Sequence, residues 1–405
     1  MLRIKQYFSL LIESFISYLF LFSKKDNNIW VFGAIRGTKY MDNAKYLFEY
    51  VNNNTNIEAI WISKNQEVVD DLNSKGFNAF HEYTLEARHY ASRAKIAVVT
   101  HRGNREKADL PMYCFSKKTK IIQLWHGIPL KKIAYDDKVF SFKHNENSLK
   151  WKIKVILKNT LFPFLDYVNE PSLILALSKE TQDIFAQAFR TSKDKVFITG
   201  YPRNDILLQN VSTEKKEFEN KKIIYMPTFR GSVNSDFDLF LQYKFNIEKM
   251  DIFLAEQNIQ LDIKLHPFNQ PSEDLLIKLK ASKNISFLDH DAIYEIINEY
   301  DMLITDYSSI YFDYLLLDRP IIFAPFDKES YLEKDREFYF DYEKVTPGPK
   351  AMNWEEVMQQ LKIFNKTPEA YADERKLIKD RFHTYHDDKS TERVYEAILD
   401  IVNKK

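Results

Sequence analysis

The segment Lys120 to Lys132, reading KIIQLWHGIPLKK, joins a short strand, a reactive ring, a flexible joint and positive charge within one loop's length. Ile121 to Leu124 is an apolar run that leads into His126. A neutral imidazole can take the proton from an attacking hydroxyl, a role typically worth about 10²–10⁴ in rate. Gly127 frees the backbone to turn after the ring, and Lys131 and Lys132 offer positive charge to a phosphorylated substrate. The alternatives are a loop histidine held by hydrogen bonds, and lysines that serve a membrane or only solvent.

Further strand ends in the second half of the chain carry polar residues. Thr305-Asp306-Tyr307-Ser308-Ser309 follows the strand MLIT and opens a helix at Ile310. The hydroxyls of Ser308 and Ser309, with the free N–H groups of a first turn, suit a phosphate; ordinary capping accounts for them equally well. His266, in Leu265-His266-Pro267, ends another strand. A lone histidine is more often structural, but a stiffening proline and a place on the same sheet edge as Ser308 set this one apart. Thr228 and Arg230, in Met226-Pro227-Thr228-Phe229-Arg230, end a third strand, and Arg230 has the forked geometry that clamps phosphate. Arg203 lies in Gly200-Tyr201-Pro202-Arg203-Asn204-Asp205. No phosphate-loop, G-x-G-x-x-G or H-E-x-x-H pattern occurs. Asp289-His290-Asp291 follows a strand as a plain turn would, so no metal and no cofactor is expected.

These residues need elements to hold them. From Ile29 onward, short apolar strands alternate with helices, as in a parallel sheet covered on both faces. Strands are expected at Ile29–Ala34, Ile57–Ser63, Ala79–Phe80, Ile96–Thr100, Ile121–Leu124, Leu173–Ser178 and Val196–Thr199. The scheme then repeats at Lys222–Met226, Leu261–Leu265, Ile285–Leu288, Met302–Thr305 and Pro320–Ala324. Helices are expected at Asn43–Asn52, Glu67–Lys75, Leu85–Ala94, Lys179–Phe189, Lys249–Glu256, Glu273–Ala281, Ala292–Asn298, Ile310–Leu317, Trp354–Phe364 and Thr391–Val402. The 405 residues suffice for two domains, divided here as 26–195 and 196–405. Residues 136–170 interrupt the first as a basic amphipathic insertion, either a solvated helix or a contact with anionic lipid or a phosphorylated acceptor.

Residues 1–25 read as an amphipathic helix. Ile4, Phe8, Leu11, Phe15, Leu19 and Phe22 share one face, Lys5, Ser9, Glu13 and Ser17 form a polar stripe, and cations flank both ends. An anionic membrane surface is the expected partner; packing on the protein's own core or on a dimer partner is the alternative. A signal peptide is disfavoured by Glu13 in mid-run. The charge is balanced, 58 Lys+Arg against 58 Asp+Glu, which argues against bulk nucleic-acid binding. The lone cysteine, Cys114, excludes an internal disulfide and fits a reducing compartment.

Six segments occur in order: Trp125–Lys131, Gly200–Asp205, Met226–Arg230, Leu265–Pro267, Thr305–Tyr314 and Pro347–Pro349. Together they resemble the CDP-glycerol glycerophosphotransferase family of teichoic acid and capsule synthesis, over a match from about Trp30 to the C-terminus. The resemblance implies a GT-B fold, with two Rossmann-like domains facing across a cleft. It implies transfer of a polyol phosphate from CDP-glycerol or CDP-ribitol to a hydroxyl of a lipid-linked acceptor, such as a polyprenyl-pyrophosphate saccharide, with release of CMP at the cytoplasmic face of the membrane. In this frame His126 would be the base and His266 would stabilise charge on the donor pyrophosphate. Ser308, Ser309, Asp306, Arg230, Arg203 and Thr228 would bind the donor, and Arg336 and Glu343 its polyol end. Gly127, Lys131 and Lys132 would serve the acceptor. One departure is Asp387-Asp388, where the family usually has Asp-Gly before its last helix, which questions a glycine-dependent turn there. The competing readings are a GT-B glycosyltransferase using a nucleotide sugar and a non-enzymatic scaffold of a capsule assembly complex. Glycerol versus ribitol, priming versus polymerisation, and oligomeric state stay open.

Overall fold

The structure, a computed structural model, describes residues 11–403 except 14, 17, 102–107, 139–148, 150–151, 154–155, 157–169, 210–220, 231–238, 266–271, 290–291, 330 and 332–336. The chain forms two compact units. One comprises Met1–His126, Ala134–Asp205 and Asp387–Lys405, the other Gly127–Ile133 and Ile206–His386.

The first unit is built on β1 (Asp26–Gly33), β2 (Glu58–Ser63), β3 (Asn78–His81), β4 (Ala94–Val99), β5 (Lys120–Gln123), β6 (Leu173–Ala176) and β7 (Val196–Ile198). They form a seven-stranded sheet in the order β3-β2-β1-β4-β5-β6-β7, all pairs parallel. Strands such as Ile29–Phe32 and Ile96–Val99 are buried on both faces, which explains their continuous apolar runs. Helices α1 (Asp42–Asn54), α2 (Gln66–Ser74), α3 (Leu85–Arg93) and α4 (Lys179–Ala188) supply crossovers, and α5 (Pro202–Gln209) follows the last strand, with its first turn in this unit. Asn65 and Thr84 cap α2 and α3, and a capping box of Ser178 and Thr181 opens α4.

The second unit carries β8 (Lys221–Met226), β9 (Ile259–Ile263), β10 (Ile285–Phe287), β11 (Met302–Thr305) and β12 (Ile321–Phe323). Their order is β10-β9-β8-β11-β12, again all parallel. Its helices are α6 (Ile247–Gln257), α7 (Glu273–Ala281), α8 (Ile310–Tyr314), α9 (Trp354–Lys366) and α10 (Ala372–Phe382); α11 (Ser390–Asn403) then returns to the first unit. The expected α/β class, with two Rossmann-like parallel sheets, is the class observed. Each sheet reverses strand order once, between β1 and β4 and between β8 and β11, and the carboxyl ends at such switch points are where open α/β sheets bind ligands.

The division of the chain differs from the expected boundary at residue 196. β7 hydrogen-bonds to β6 and so completes the first sheet, the boundary falls after Asp205, and α11 belongs to the first unit. The stretch expected as a helix at Ala292–Asn298 is two 3-10 turns, Ile293–Glu295 and Ile297–Glu299. Helix α10 escapes the apolar-period test because its buried residues are only Arg375, Ile378 and Phe382. No glycine is needed before α11, since neither Asp387 nor Asp388 has a positive φ. Asp387 accepts the amide of Lys389 at 3.1 Å, and Asp205 accepts those of Ser390 and Thr391 at 2.9 and 2.7 Å.

At the N-terminus, Ile16 and Phe20 pack against the core beside β1 while Ile12, Phe15, Leu19 and Phe22 are exposed. Among the described residues no helix is long and apolar enough to cross a membrane. Most of the 136–170 insertion lies outside the described residues; Leu149, Ile153 and Ile156 within it are exposed.

Candidate active site

In the first unit the site forms where β5 ends. Leu124 donates its amide to Val99 at 2.8 Å, and the chain then turns sharply. Trp125 takes a left-handed conformation, φ +58°, and Gly127 lies at φ +149°, so a tryptophan and a glycine bracket His126 in backbone that L side chains rarely adopt. The Trp125 ring is wedged against Phe189 and Phe185, with centroids at 4.9 and 5.8 Å. That packing over-determines the strained residue and fixes where the next side chain emerges.

Two side chains hold the turn from behind, and a third, Asp42, holds one of them. Asn43, fully buried at the start of α1, donates from Nδ2 to the Trp125 carbonyl at 2.9 Å, and its Oδ1 accepts the amide of Arg203 at 3.2 Å. Arg203, in the first turn of α5, donates from Nη1 to the His126 carbonyl at 3.0 Å and to Asp42 Oδ1 at 2.7 Å. Asp42 is itself left-handed, φ +63°.

The His126 side chain is exposed, yet its pKa is lowered to about 3, first by the protein crowding the ring and then by His101 and Arg203. Water at an exposed residue screens the burial part of this shift, and the downward direction is shared by the like charges of His101 and Arg203. His126 is therefore a neutral imidazole at physiological pH. His101 stands 5.7 Å away between ring centroids. Its backbone is held by Asp109, a buried carboxylate that accepts from the amides of Arg36, Thr100 and His101 at 2.7, 2.8 and 2.7 Å. Burial pushes Asp109 up to about 6 against these bonds.

In the second unit the carboxyl ends of β8 and β11 meet at Asp306. One oxygen accepts the Thr228 amide and hydroxyl at 2.8 and 2.7 Å and the Tyr307 amide at 2.5 Å; the other accepts Arg230 Nη2 at 2.7 Å. Arg230 also forks onto Asp327 at 2.7 and 3.0 Å and donates to the Thr228 carbonyl at 2.8 Å. Its plane lies beside the stacked rings of Tyr307 and Tyr331, 5.1 and 4.5 Å from their centroids. The fork read as a phosphate clamp is committed to two carboxylates. Ser308 and Ser309 are half-buried beside this hub, and neither caps α8 with its side chain.

Lys131 and Lys132 belong to the second unit rather than to the one that carries His126. Lys131 bridges to Phe338 and its Nζ lies 4.5 Å from the Tyr331 ring, while Lys132 pairs with Glu337 at 2.6 Å. Glu343 is exposed and pairs with Lys328 and Lys350. His266 and Arg336 lie outside the described residues, as do His290 and Asp291. Sequence reasoning passed over Asp42, Asn43, His101, Asp109 and Asp327. Asp42-Asn43 looked like an ordinary helix start, and the others sit in irregular segments where no period marks them.

Residues 15–400 match the family described as CDP-Glycerol:Poly(glycerophosphate) glycerophosphotransferase. The chain is 28% identical to a teichoic acid glycerol-phosphate transferase of Staphylococcus aureus, across 98% of this chain and 100% of that protein. It is 30% identical to a teichoic acid poly(glycerol phosphate) polymerase of Bacillus spizizenii, across 93% of each. Among solved structures, the wall teichoic acid polymerase TagF superposes with a TM-score of 0.73 at 22% identity, covering 99% of this chain and 96% of that one. A putative UDP-N-acetylglucosamine 2-epimerase from Listeria monocytogenes shares the fold more distantly, with a TM-score of 0.54 at 11% identity over 93% and 97% of the two chains. Fold likeness of this kind spans different chemistries; the match along nearly the whole sequence is the narrower finding, and by it the chain belongs to the CDP-glycerol:poly(glycerophosphate) glycerophosphotransferase family.

Proposed function

We propose that the protein transfers glycerol phosphate or ribitol phosphate from a CDP-polyol to a hydroxyl of a lipid-linked acceptor, releasing CMP, in the synthesis of teichoic acid or a capsule polymer. The observation that carries this reading is His126, an exposed neutral imidazole on a braced turn at the carboxyl edge of a parallel sheet, in a chain of this family. The acceptor oxygen attacks the phosphorus that bears the polyol. A new P–O bond forms, the bond to the CMP oxygen breaks, and the hydroxyl proton passes to His126.

In the second unit, Asp306, Arg230 and Thr228 set the shape of the donor cradle, and the hydroxyls of Ser308 and Ser309 face the donor phosphates. His266 stabilises charge on the pyrophosphate, and Arg336 and Glu343 serve the polyol. The protein works at the cytoplasmic face of the membrane as a peripheral protein, with the exposed Ile12, Phe15, Leu19 and Phe22 against anionic lipid.

The test is release of CMP from CDP-glycerol and from CDP-ribitol, with nucleotide sugars as comparison donors and products sized by mass spectrometry. Turnover of a CDP-polyol that is lost in His126→Ala and in His266→Ala supports the reading. Turnover of a nucleotide sugar alone, or full activity in both variants, overturns it. Sedimentation with anionic vesicles, with and without residues 1–22, tests the membrane assignment.

A further inference from the structure

We infer that Arg203 is a positioning residue for His126 and that Asp42 and Asn43 complete the clamp through which it acts. The inference rests on the assignment of His126 as the base, and it gives Arg203 a place in the acceptor half of the reaction instead of in donor binding.

Two consecutive carbonyls, those of Trp125 and His126, accept hydrogen bonds from side chains. The turn Trp125–His126 carries a left-handed non-glycine residue, so its peptide groups have no regular partner and must be held by side chains. Asn43 takes the Trp125 carbonyl and Arg203 takes the His126 carbonyl, at 2.9 and 3.0 Å. The two holders are tied together, because Asn43 Oδ1 receives the Arg203 amide and Asp42 receives both Arg203 Nη1 at 2.7 Å and the Asn43 amide at 2.8 Å. Arg203 and Asp42 keep only 5% and 7% of their side-chain surface exposed. An ion pair so deeply buried gains little net stability, because desolvation offsets attraction; fixing one geometry is the better-attested use of such a pair. The geometry fixed here is that of the peptide bearing the imidazole. Other residues of the Gly200–Asp205 motif have structural duties of their own: Gly200 lies against Ser390, and Asp205 caps α11.

The clamp also sets charge. The groups that face His126 are His101, from the end of β4, and Arg203, from α5, with Asp42 behind the guanidinium and Asp109 behind His101. Arg203 therefore contributes separable effects, a donated hydrogen bond that places the ring and a positive charge that, after burial and His101, adds to the downward shift of its pKa.

Three variants separate these roles. Arg203→Lys keeps the charge and loses the fork; Arg203→Gln loses the charge; Asn43→Ala releases the Trp125 carbonyl and leaves Arg203 in place. Steady-state kinetics, calorimetric binding of CDP-glycerol and NMR titration of the His126 ring are measured on the full chain. We expect kcat to fall about 10- to 100-fold in Arg203→Lys and Asn43→Ala, the loss typical of a reacting group misplaced by about 1 Å, with the Kd for CDP-glycerol within about twofold of the parent. The His126 pKa should move upward in Arg203→Gln and stay in place in Arg203→Lys. A tenfold weaker Kd for CDP-glycerol with kcat at saturation intact makes Arg203 a donor ligand and overturns the inference, as does a His126 pKa unmoved in Arg203→Gln. His126→Ala serves as the control: native turnover in that variant refutes the base assignment, whereas the NMR titration still decides whether Arg203 controls the ring.

Discussion

Asp306 and Arg230 meet at 2.7 Å in the second unit, with 3% and 7% of their side-chain surfaces exposed. The pair joins the ends of β8 and β11, the two strands at which that sheet reverses its order. Asp327 on the far side of the guanidinium completes a carboxylate–arginine–carboxylate row.

Removing one partner of this row should be far more damaging than removing an exposed ion pair. Arg230→Met leaves Asp306 and Asp327 facing each other without the cation between them. The expected loss is about 3–5 kcal/mol of unfolding stability, against well under about 1 kcal/mol for Lys249→Met, whose pair with Glu355 is half exposed. Denaturant titration followed by circular dichroism compares the two. Equal, small losses would mean that the row does not hold the loop that carries Thr228.

The pH dependence of turnover should show a low acid limb. The His126 pKa in the free protein is depressed, so the imidazole stays neutral as pH falls through the ordinary histidine range near 6.5. A plot of kcat/KM against pH, which reports the free enzyme, should be flat from about pH 8 to 6 and fall only below about 5. A limb near 6.5 in kcat/KM would show the ring to be an ordinary solvated histidine.

The twelve strands of the described residues and their parallel pattern were legible in the sequence, because buried parallel strands such as IWVFG and MLIT are uninterrupted apolar runs. His126 stood out for a related reason: it ends a strand and precedes a glycine. Its supports were not legible. Asn43 and Arg203 are separated by 160 residues, and neither side chain carries a periodic signal. Arg230 looked like a free phosphate fork because sequence shows a guanidinium's donors without showing Asp306 and Asp327 in front of them. Lys131 and Lys132 sit a few positions from His126 yet pair with residues 337–338, since the chain passes from one unit to the other at Gly127.

Stability should fall on acidification through His383. Burial, the largest influence, lowers its pKa to about 4, and its Nε2–H donates to the Phe312 carbonyl at 2.7 Å in the neutral form. Between about 6.5, the value of the unfolded chain, and 4, the unfolded state binds the extra proton and the folded state does not. The stabilisation is therefore complete above 6.5 and is lost as pH falls toward 4, amounting to about 3 kcal/mol for 2.5 pH units. Urea midpoints between pH 7 and 4 should show this slope, and His383→Gln, which keeps a donor and cannot titrate, should flatten it. An unchanged slope in that variant would assign the acid sensitivity to other groups.

Gly200→Ala should destabilise the first unit by two separable routes. The residue sits at φ +83°, where a Cβ costs about 1–2 kcal/mol. That Cβ would also lie 2.3 Å from Ser390 Oγ and 3.0 Å from Ser390 Cβ, so α11 must shift or Ser390 must change rotamer, a further 1–3 kcal/mol or so by the usual penalty for overpacking. Ser390→Ala in the Gly200→Ala background should recover the part due to the hydroxyl and leave the backbone part in place. Because α5 begins two residues later and carries Arg203, the strain should reach the clamp on His126: turnover should drop in Gly200→Ala and recover in part with Ser390→Ala, in step with the unfolding midpoint. Loss of stability with turnover unchanged would show that the link from α5 to the Trp125–His126 turn is more compliant than its hydrogen bonds suggest.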